Sequence, residues 1–482
     1  MNKFLQFAVG PIGGALLGVI SLPLLAWYFP SEDIGRISML QVVTSFSVLL
    51  FSFGLDQSYV REYHESDNKT LLLKMAMGPG LFLVILLGFT VFLISPDILS
   101  HYIFSIESVK FSLIIFIVIL SNIISRFLSL ILRMEERGIA FSLGQLLPKL
   151  IFVLIVIFYV LFKIPNDFYF LLLANAISAV VVSFILCINT YKSWINAVYQ
   201  RINLEKFKEM FFFGFPLIFG GLASWILMAT DKIAIKELSS LSELGVYSIA
   251  LSLGSVGALL SGIFNTLWYP TVYKWHNEGK DLELVNDISE YVQISVIVIF
   301  FLVGCFSWIT PYLLPHKYQD VKYILPLVIA TPLFYTLSET TSIGIGLTKK
   351  SVYSMWASLL AAICNVLGNI VLVPMYGAKG AAISTALSMW LFFVIKTEFS
   401  SFLWKRVGGM KAYIATTIPL IGSFIYVGWR DDKINIAIWL LILLLSFLVY
   451  RKTINKLYKL LGAYIKKDIL YKSKDKAIYI RR

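Results

Sequence analysis

The chain has 482 residues, of which 58% are hydrophobic and 14% are charged, and its formal net charge at pH 7 is +13. A water-soluble domain of this length needs far more polar surface, so the composition excludes one and indicates an integral membrane protein. The sequence carries no metal-site, P-loop or nucleophile–base motif. We therefore expect no enzyme activity and no cofactor.

Apolar runs of roughly 20 residues, the length that crosses a bilayer as a helix, recur along the chain. They predict an all-α integral membrane protein with about fourteen transmembrane helices. The predicted spans are, in chain order, about 4–29, 37–60, 71–95, 111–132, 139–162, 168–190, 211–230, 244–270, 291–314, 323–347, 352–375, 378–403, 411–429 and 434–450. The longest internal connection, about 191–210, is the predicted linker between two halves.

The second half of the sequence echoes the first. Ser31-Glu32-Asp33-Ile34-Gly35 is matched by Ser242-Glu243-Leu244-Gly245, near the start of spans two and eight. Six spans per half in the same order predict two pseudo-symmetric six-helix lobes around a central cavity, as in many transporters. The predicted divisions are an N-terminal lobe (1–200), a C-terminal lobe (201–408), two additional spans (409–450) and a basic cytoplasmic tail (451–482).

Lysine and arginine are more frequent in the loops on the side of the N-terminus. The positive-inside rule then predicts that both termini are cytoplasmic. The tail is also suited to contact anionic membrane lipids. Because this bias accounts for the basic charge, no nucleic-acid partner is expected.

Charged residues at membrane depth are costly and therefore indicate function. Arg126 lies in the middle of span four, Arg133 lies two helical turns further on the same face, and Lys149 lies inside span five. We predict that they form a cationic wall that binds an anion. The alternative is that Arg133 only reaches the membrane surface and that Lys149 pairs with a nearby carboxylate. Arg61, at the end of span two, is either a further anion-binding residue or the partner of Asp56 in a structural ion pair.

Three acidic residues and two prolines are candidates for coupling or gating. Glu339 stands among hydroxyl side chains in span ten and suits a proton or sodium relay, or is a satisfied structural carboxylate. Asp56 and Asp231 lie at the ends of spans two and seven. Pro11 and Pro216 occupy equivalent places in the two halves, where each bends a gating helix or fixes a kink for packing.

Several stretches together resemble the polysaccharide transport family, the Wzx-type flippases, within the superfamily of multidrug, oligosaccharidyl-lipid and polysaccharide exporters. The resemblance spans about residues 1–405. The stretches that carry it are Gly54-Leu55-Asp56-Gln57-Ser58-Tyr59-Val60-Arg61-Glu62, Gly214-Phe215-Pro216-Leu217-Ile218, Thr230-Asp231-Lys232, Gly245-Val246-Tyr247-Ser248, Trp268-Tyr269-Pro270, Asn365 with Asn369, and Val373-Pro374-Met375-Tyr376-Gly377.

The resemblance implies a flippase that moves an undecaprenyl-diphosphate-linked oligosaccharide, such as an O-antigen repeat unit, from the inner to the outer leaflet of a bacterial cytoplasmic membrane. A polysaccharide polymerase and chain-length machinery are the partners expected with it. Arg126 and Lys149 suit a pyrophosphate, because arginine in particular binds phosphate through a rigid fork of donors. The alternatives are a peptidoglycan-precursor (lipid II) flippase, a drug–cation antiporter of the same fold and a non-transporting scaffold.

Overall fold

The computed structural model describes residues 3–279, 283–429, 432–451 and 453–456, and all regular structure in these ranges is helical. The first nine helices are α1 (Lys3–Tyr28), α2 (Ser31–Phe51), α3 (Leu55–Glu62), α4 (Lys69–Ile94), α5 (Ile98–Phe104), α6 (Val109–Met134), α7 (Gly138–Leu161), α8 (Phe168–Asn189) and α9 (Tyr191–Val198). The other ten are α10 (Leu204–Leu238), α11 (Leu241–Asn277), α12 (Glu283–Phe306), α13 (Thr310–Leu313), α14 (Val321–Thr341), α15 (Ile343–Leu347), α16 (Val352–Tyr376), α17 (Ala378–Leu403), α18 (Met410–Trp429) and α19 (Asp432–Val449).

The long helices have the length and composition of membrane spans. Twelve helices in the described ranges qualify. Shorter apolar parts of α1 (Ile12–Tyr28) and α19 (Lys433–Val449) fall on the first and last predicted spans. Helices are expected here because lipid offers no hydrogen-bond partners, so each segment must satisfy its own backbone groups. The predicted all-α, multi-pass membrane architecture is therefore confirmed.

The structure corrects some predicted ends. Span seven was expected to close at Asp231 and Lys232, but α10 runs on to Leu238 and also begins earlier, at Leu204. A hydropathy pattern stops at charged residues, whereas here the Asp231 charge is hydrogen-bonded inside the protein. The predicted span at 323–347 is two helices, because α14 ends at Thr341 and α15 follows.

Contacts divide the chain into two compact units. The first comprises Met1–Leu259, Ile309–Val328 and Ala362–Thr385, and the second comprises Leu260–Trp308, Ile329–Ala361 and Ala386–Arg482. The division into lobes at 1–200 and 201–408, with the added spans and the tail, stays a prediction. Most of the tail, from residue 457 onward, lies outside the described residues.

Two equivalent glycines of the sequence echo meet inside the first unit. A Cβ atom on Gly35 would lie 2.0 Å from the carbonyl oxygen of Leu241, and one on Gly245 would lie 1.9 Å from that of Ser31. Ser31 opens α2 and Leu241 opens α11, so the contact is reciprocal. The Oγ atoms of Ser31 and Ser242 are 2.7 Å apart at the same place. Only glycine permits this approach of the two backbones.

Candidate functional site

The first unit contains an open cavity of about 840 Å³. Its walls come from α1, α2, α6, α7, α8, α10 and α11. Three cationic side chains, Arg126, Lys149 and Lys232, line it, and no Asp or Glu stands among its described lining residues. The polar lining residues are Ser38, Gln41, Thr44, Ser45, Asn122, Ser125, Ser129, Gln145, Asn175, Ser178, Ser248, Ser252 and Ser255. The cavity therefore combines a positive charge with many hydroxyl and amide groups.

Helical periodicity aligns these groups. Asn122, Arg126 and Ser129 on α6 are spaced by four and three residues, which places them on one face of that helix. The same spacing aligns Ser248 and Ser252 with Ser255 on α11. The Ser248 hydroxyl donates to the Leu244 carbonyl oxygen at 2.7 Å, so its lone pairs remain available to accept from a ligand.

Lys149 is a cavity cation whose hydrogen-bond partner is a neutral backbone oxygen. Its ammonium group donates to the carbonyl oxygen of Gly14 on α1 at 2.8 Å, and no carboxylate lies within ion-pair distance of it among the described residues. The structure therefore contradicts the alternative in which Lys149 pairs with a nearby carboxylate. An ammonium group carries three donors, so two remain for a ligand.

Arg126 is held in place by Asp56. Its Nε donates to Asp56 Oδ2 at 3.2 Å, and its Nη2 forms an ion pair with the same oxygen. The Asp56 side chain is 8% exposed, whereas that of Arg126 is 40% exposed. The carboxylate thus orients the guanidinium from within the protein while part of the fork faces the cavity.

Two predicted site residues do not line this cavity. Arg61 was expected to pair with Asp56 or to bind an anion, but its guanidinium is exposed and lies 4.1 Å from the centre of the Phe213 ring. Residues five apart point about 140° from each other around a helix, so Arg61 and Asp56 face different sides of α3. Arg133 is exposed in the last turn of α6, about 10 Å along the helix from Arg126.

Asp231 is the centre of a buried polar cluster in the first unit. Oδ1 accepts from Asn365 Nδ2 at 3.0 Å and from Asn369 Nδ2 at 2.8 Å, and Oδ2 accepts from the Tyr247 hydroxyl at 2.6 Å and the Thr385 hydroxyl at 2.5 Å. Four neutral donors thus surround one carboxylate. Three separate motifs of the sequence meet here, which sequence order alone does not show.

Lys232 was missed by sequence reasoning. The hydropathy pattern places it just beyond the end of span seven, whereas it is an inner residue of α10 and lines the cavity. The sequence feature that could have identified Lys232 is its position directly after the buried Asp231. Consecutive helical residues point about 100° apart, so one side chain is buried among α11, α16 and α17 while the other enters the cavity.

Glu339 lies in the second unit, in a buried ion pair. Its Oε1 accepts from Lys396 Nζ at 2.5 Å, and the Tyr269 hydroxyl donates to its Oε2. Both charged side chains are under 10% exposed. The structure thus gives the predicted coupling residue a cationic partner. Glu398, two residues after Lys396, instead accepts from Arg406 at 2.9 Å, as expected of side chains on different sides of a helix.

Replacing Lys396 by methionine should destabilise the second unit by about 3–5 kcal/mol, because the Glu339 carboxylate would stay buried without its cation. Thermal unfolding of the purified protein in detergent measures this. Lys411→Met removes a half-exposed ion pair with Glu290 and should cost at most about 1 kcal/mol. The double variant Glu339→Gln/Lys396→Met should recover most of the loss. A Lys396→Met protein as stable as the wild type would contradict this account.

Pro11 and Pro216 lie inside α1 and α10. The side chain of Pro11 lies outside what the structure describes. A role of either proline in gating stays a prediction.

Comparisons with known proteins identify a family and several distant relatives. Residues 2–276 match the family described as polysaccharide biosynthesis protein. An uncharacterized membrane protein of Methanocaldococcus jannaschii, MJ1068, is 22% identical over 92% of both chains. A capsular polysaccharide biosynthesis protein of Staphylococcus aureus, CapF, is 23% identical over 49% of this chain and 61% of its own length. A probable low-salt glycan biosynthesis flippase of Haloferax volcanii, Agl15, is 22% identical over 50% of this chain and 51% of its own.

Two solved structures share the fold. The lipid II flippase MurJ in an inward closed conformation superposes with a TM-score of 0.66 and 16% identity, covering 93% of this chain and all of its own. An inward-facing multidrug resistance transporter of the MATE family superposes with a TM-score of 0.55 and 14% identity, covering 82% of this chain and 97% of its own. At these identities the likeness concerns the fold alone.

Proposed function

We propose that this chain, which belongs to the polysaccharide biosynthesis protein family, is a flippase that moves a lipid-linked oligosaccharide across the membrane. The observation that carries the proposal is the basic cavity of the first unit. An anionic diphosphate suits Arg126, Lys149 and Lys232, and sugar hydroxyls suit the serine, asparagine and glutamine side chains around them. No bond is made or broken, so the chain acts as a transporter and not as an enzyme.

The finer assignment follows the sequence resemblance. The substrate is an undecaprenyl-diphosphate-linked repeat unit of O-antigen or a related surface polysaccharide, moved from the inner to the outer leaflet of a bacterial cytoplasmic membrane. Both termini are cytoplasmic in this proposal, and a polymerase with its chain-length machinery receives the product. The family assignment favours this substrate over a peptidoglycan precursor. A drug–cation antiporter is disfavoured because the described cavity lining is basic and lacks carboxylates.

Deletion of the gene in the host organism tests this function. Lipid-linked repeat units should accumulate on the cytoplasmic leaflet, and the wild-type gene should restore surface polysaccharide. Normal surface polysaccharide and no accumulated lipid-linked units in the deletion strain would count against a flippase.

For energy coupling we propose Asp231 as the ion-binding residue in preference to Glu339. Lys396 already balances the charge of Glu339, whereas the hydrogen-bond partners of Asp231 are all neutral. A buried carboxylate whose hydrogen-bond donors are all neutral is costly, and a bound proton or sodium ion relieves that cost. Asn369 Oδ1 has no hydrogen-bond partner among the described residues, and carbonyl oxygens of this kind suit a hard cation.

Asp231→Asn should abolish the stimulation of transport by an imposed sodium or proton gradient. The reason is that the asparagine amide does not bind a proton near neutral pH and carries no negative charge for a sodium ion. Transport in proteoliposomes with and without each gradient measures the effect. The double variant Glu339→Gln/Lys396→Met is the matched control, because it removes the carboxylate without leaving the lysine charge unpaired, and it should keep the stimulation. A gradient response that survives in Asp231→Asn and disappears in Glu339→Gln/Lys396→Met would reverse the assignment.

A further inference from the structure

A second cavity, of about 380 Å³, lies in the first unit where α7 begins and α8 ends. Aliphatic side chains form most of its wall, among them Leu143 and Leu147 of α7 and Ile185 of α8. Arg137 precedes the first residue of α7 and Asn189 is the last of α8, so both stand at the same end. There Arg137 Nη1 donates to the Asn189 carbonyl oxygen at 3.2 Å.

This second cavity adjoins the basic one. Gly144, Val182 and Leu186 line both. At this boundary α7 and α8 pack closely, since a Cβ atom on Gly144 would lie 3.3 Å from Leu186 Cδ2. An elongated molecule can place a polar end in the basic cavity and an apolar segment between α7 and α8 when the Leu186 side chain moves aside.

The apolar cavity also reaches the outer surface of the unit. Ile139 and Leu143, which line it, are 52% and 43% exposed. Exposed aliphatic side chains on spans of a membrane protein face lipid. The apolar cavity thus extends from its boundary with the basic cavity to the lipid-facing surface, with Arg137 and Asn189 at the end where the two helices leave the membrane.

We infer that the cavity between α7 and α8 binds the first isoprene units of the substrate lipid while its diphosphate lies in the basic cavity. The inference rests on the proposed function and adds the place where the isoprenoid chain of the substrate leaves the protein. The diphosphate and the chain are covalently joined, so a site for one requires an adjacent path for the other. A cavity of about 150 Å³ holds a six-carbon ring, so 380 Å³ has room for more than one five-carbon unit.

The occupant is the chain of the substrate and not that of a bulk phospholipid. Any acyl chain matches the apolar wall. However, only a lipid whose anionic head enters the adjoining basic cavity gains binding energy from both cavities at once. The two cavities meet at Gly144, Val182 and Leu186.

Filling the apolar cavity tests the inference. Ile185→Trp places a larger side chain in it, and Ile185 itself is not among the described lining residues of the basic cavity. Ile188→Trp is the matched control, since Ile188 is on the same helix, is 59% exposed and lines neither cavity. The probes are undecaprenyl diphosphate, which has head and chain, and inorganic pyrophosphate, which has the head alone. Binding to the purified full chain in lipid nanodiscs is measured.

Ile185→Trp should weaken binding of undecaprenyl diphosphate by roughly tenfold or more and leave pyrophosphate binding unchanged, while Ile188→Trp should alter neither. Wild-type affinity of Ile185→Trp for undecaprenyl diphosphate would overturn the inference and leave the proposed function standing. If the wild-type chain binds neither probe, both fail. If Ile185→Trp does not fold, Leu143→Trp at a position already partly exposed takes its place, with the same two outcomes. A photoreactive phosphatidylglycerol that labels Leu147 and is not displaced by undecaprenyl diphosphate would assign the cavity to bulk lipid and overturn the inference.

Discussion

Replacing Lys149 by methionine is expected to slow transport of the lipid-linked oligosaccharide by roughly 10- to 100-fold. The reason is that the side chain keeps its length but loses the ammonium group, the one cavity cation of α7. Hydrogen bonds to a charged group contribute about 1.5–3 kcal/mol, and each 1.4 kcal/mol is tenfold in affinity. The initial rate of substrate movement in proteoliposomes measures the loss.

Lys149→Arg keeps the positive charge and should retain most of the rate. A folding defect is distinguished by thermal unfolding in detergent, which should differ little between the two variants, because Lys149 forms a hydrogen bond to a carbonyl oxygen and no ion pair among the described residues. If Lys149→Met transports at the wild-type rate while folding normally, the basic cavity does not bind the head group through this residue.

Joining α2 to α11 by a disulfide is expected to stop transport. The pair Ser31→Cys/Ser242→Cys suits this cross-link, because the two hydroxyl oxygens are 2.7 Å apart at the reciprocal contact of Gly35 and Gly245. Transport by alternating access requires equivalent helices of the two sequence halves to separate on one side of the cavity. Oxidation should reduce transport to the level of protein-free vesicles, and a reducing agent should restore it.

Each single cysteine variant should transport normally under the same oxidant, which controls for damage by the reagent. A fully cross-linked protein that still transports at the wild-type rate would show that α2 and α11 stay together through the cycle. The gating account built on the sequence echo would then be wrong.

The membrane fold was predictable because hydropathy and helix length act locally. Each of the fourteen predicted spans overlaps a long helix, and the motifs led to the family that the comparisons support. The ends of α10 were not predictable, because hydropathy treats Asp231 and Lys232 as if they faced lipid or water. Their partners come from distant segments, so the sequence gives no local sign that their charges are satisfied.

The candidate site was predictable only in part. Arg126 and Lys149 stood out because charges inside apolar runs are rare, and both line the cavity. Which carboxylate pairs with which cation depends on helix packing: Asp56 pairs with Arg126 from another helix and not with nearby Arg61, and Glu339 pairs with Lys396. The apolar cavity beside the basic one left no sequence signal, since its residues resemble any lipid-facing helix surface.

Movement of a labelled substrate across proteoliposomes that contain only the purified chain tests the central claim most directly. The measured quantity is the rate at which the sugar becomes accessible to a membrane-impermeant reagent on the opposite side. The account predicts fast movement of an undecaprenyl-diphosphate-linked oligosaccharide, and little movement of the same sugar on an uncharged polyprenyl carrier without the diphosphate. No acceleration over protein-free vesicles, or equal rates for the charged and uncharged lipids, would contradict it.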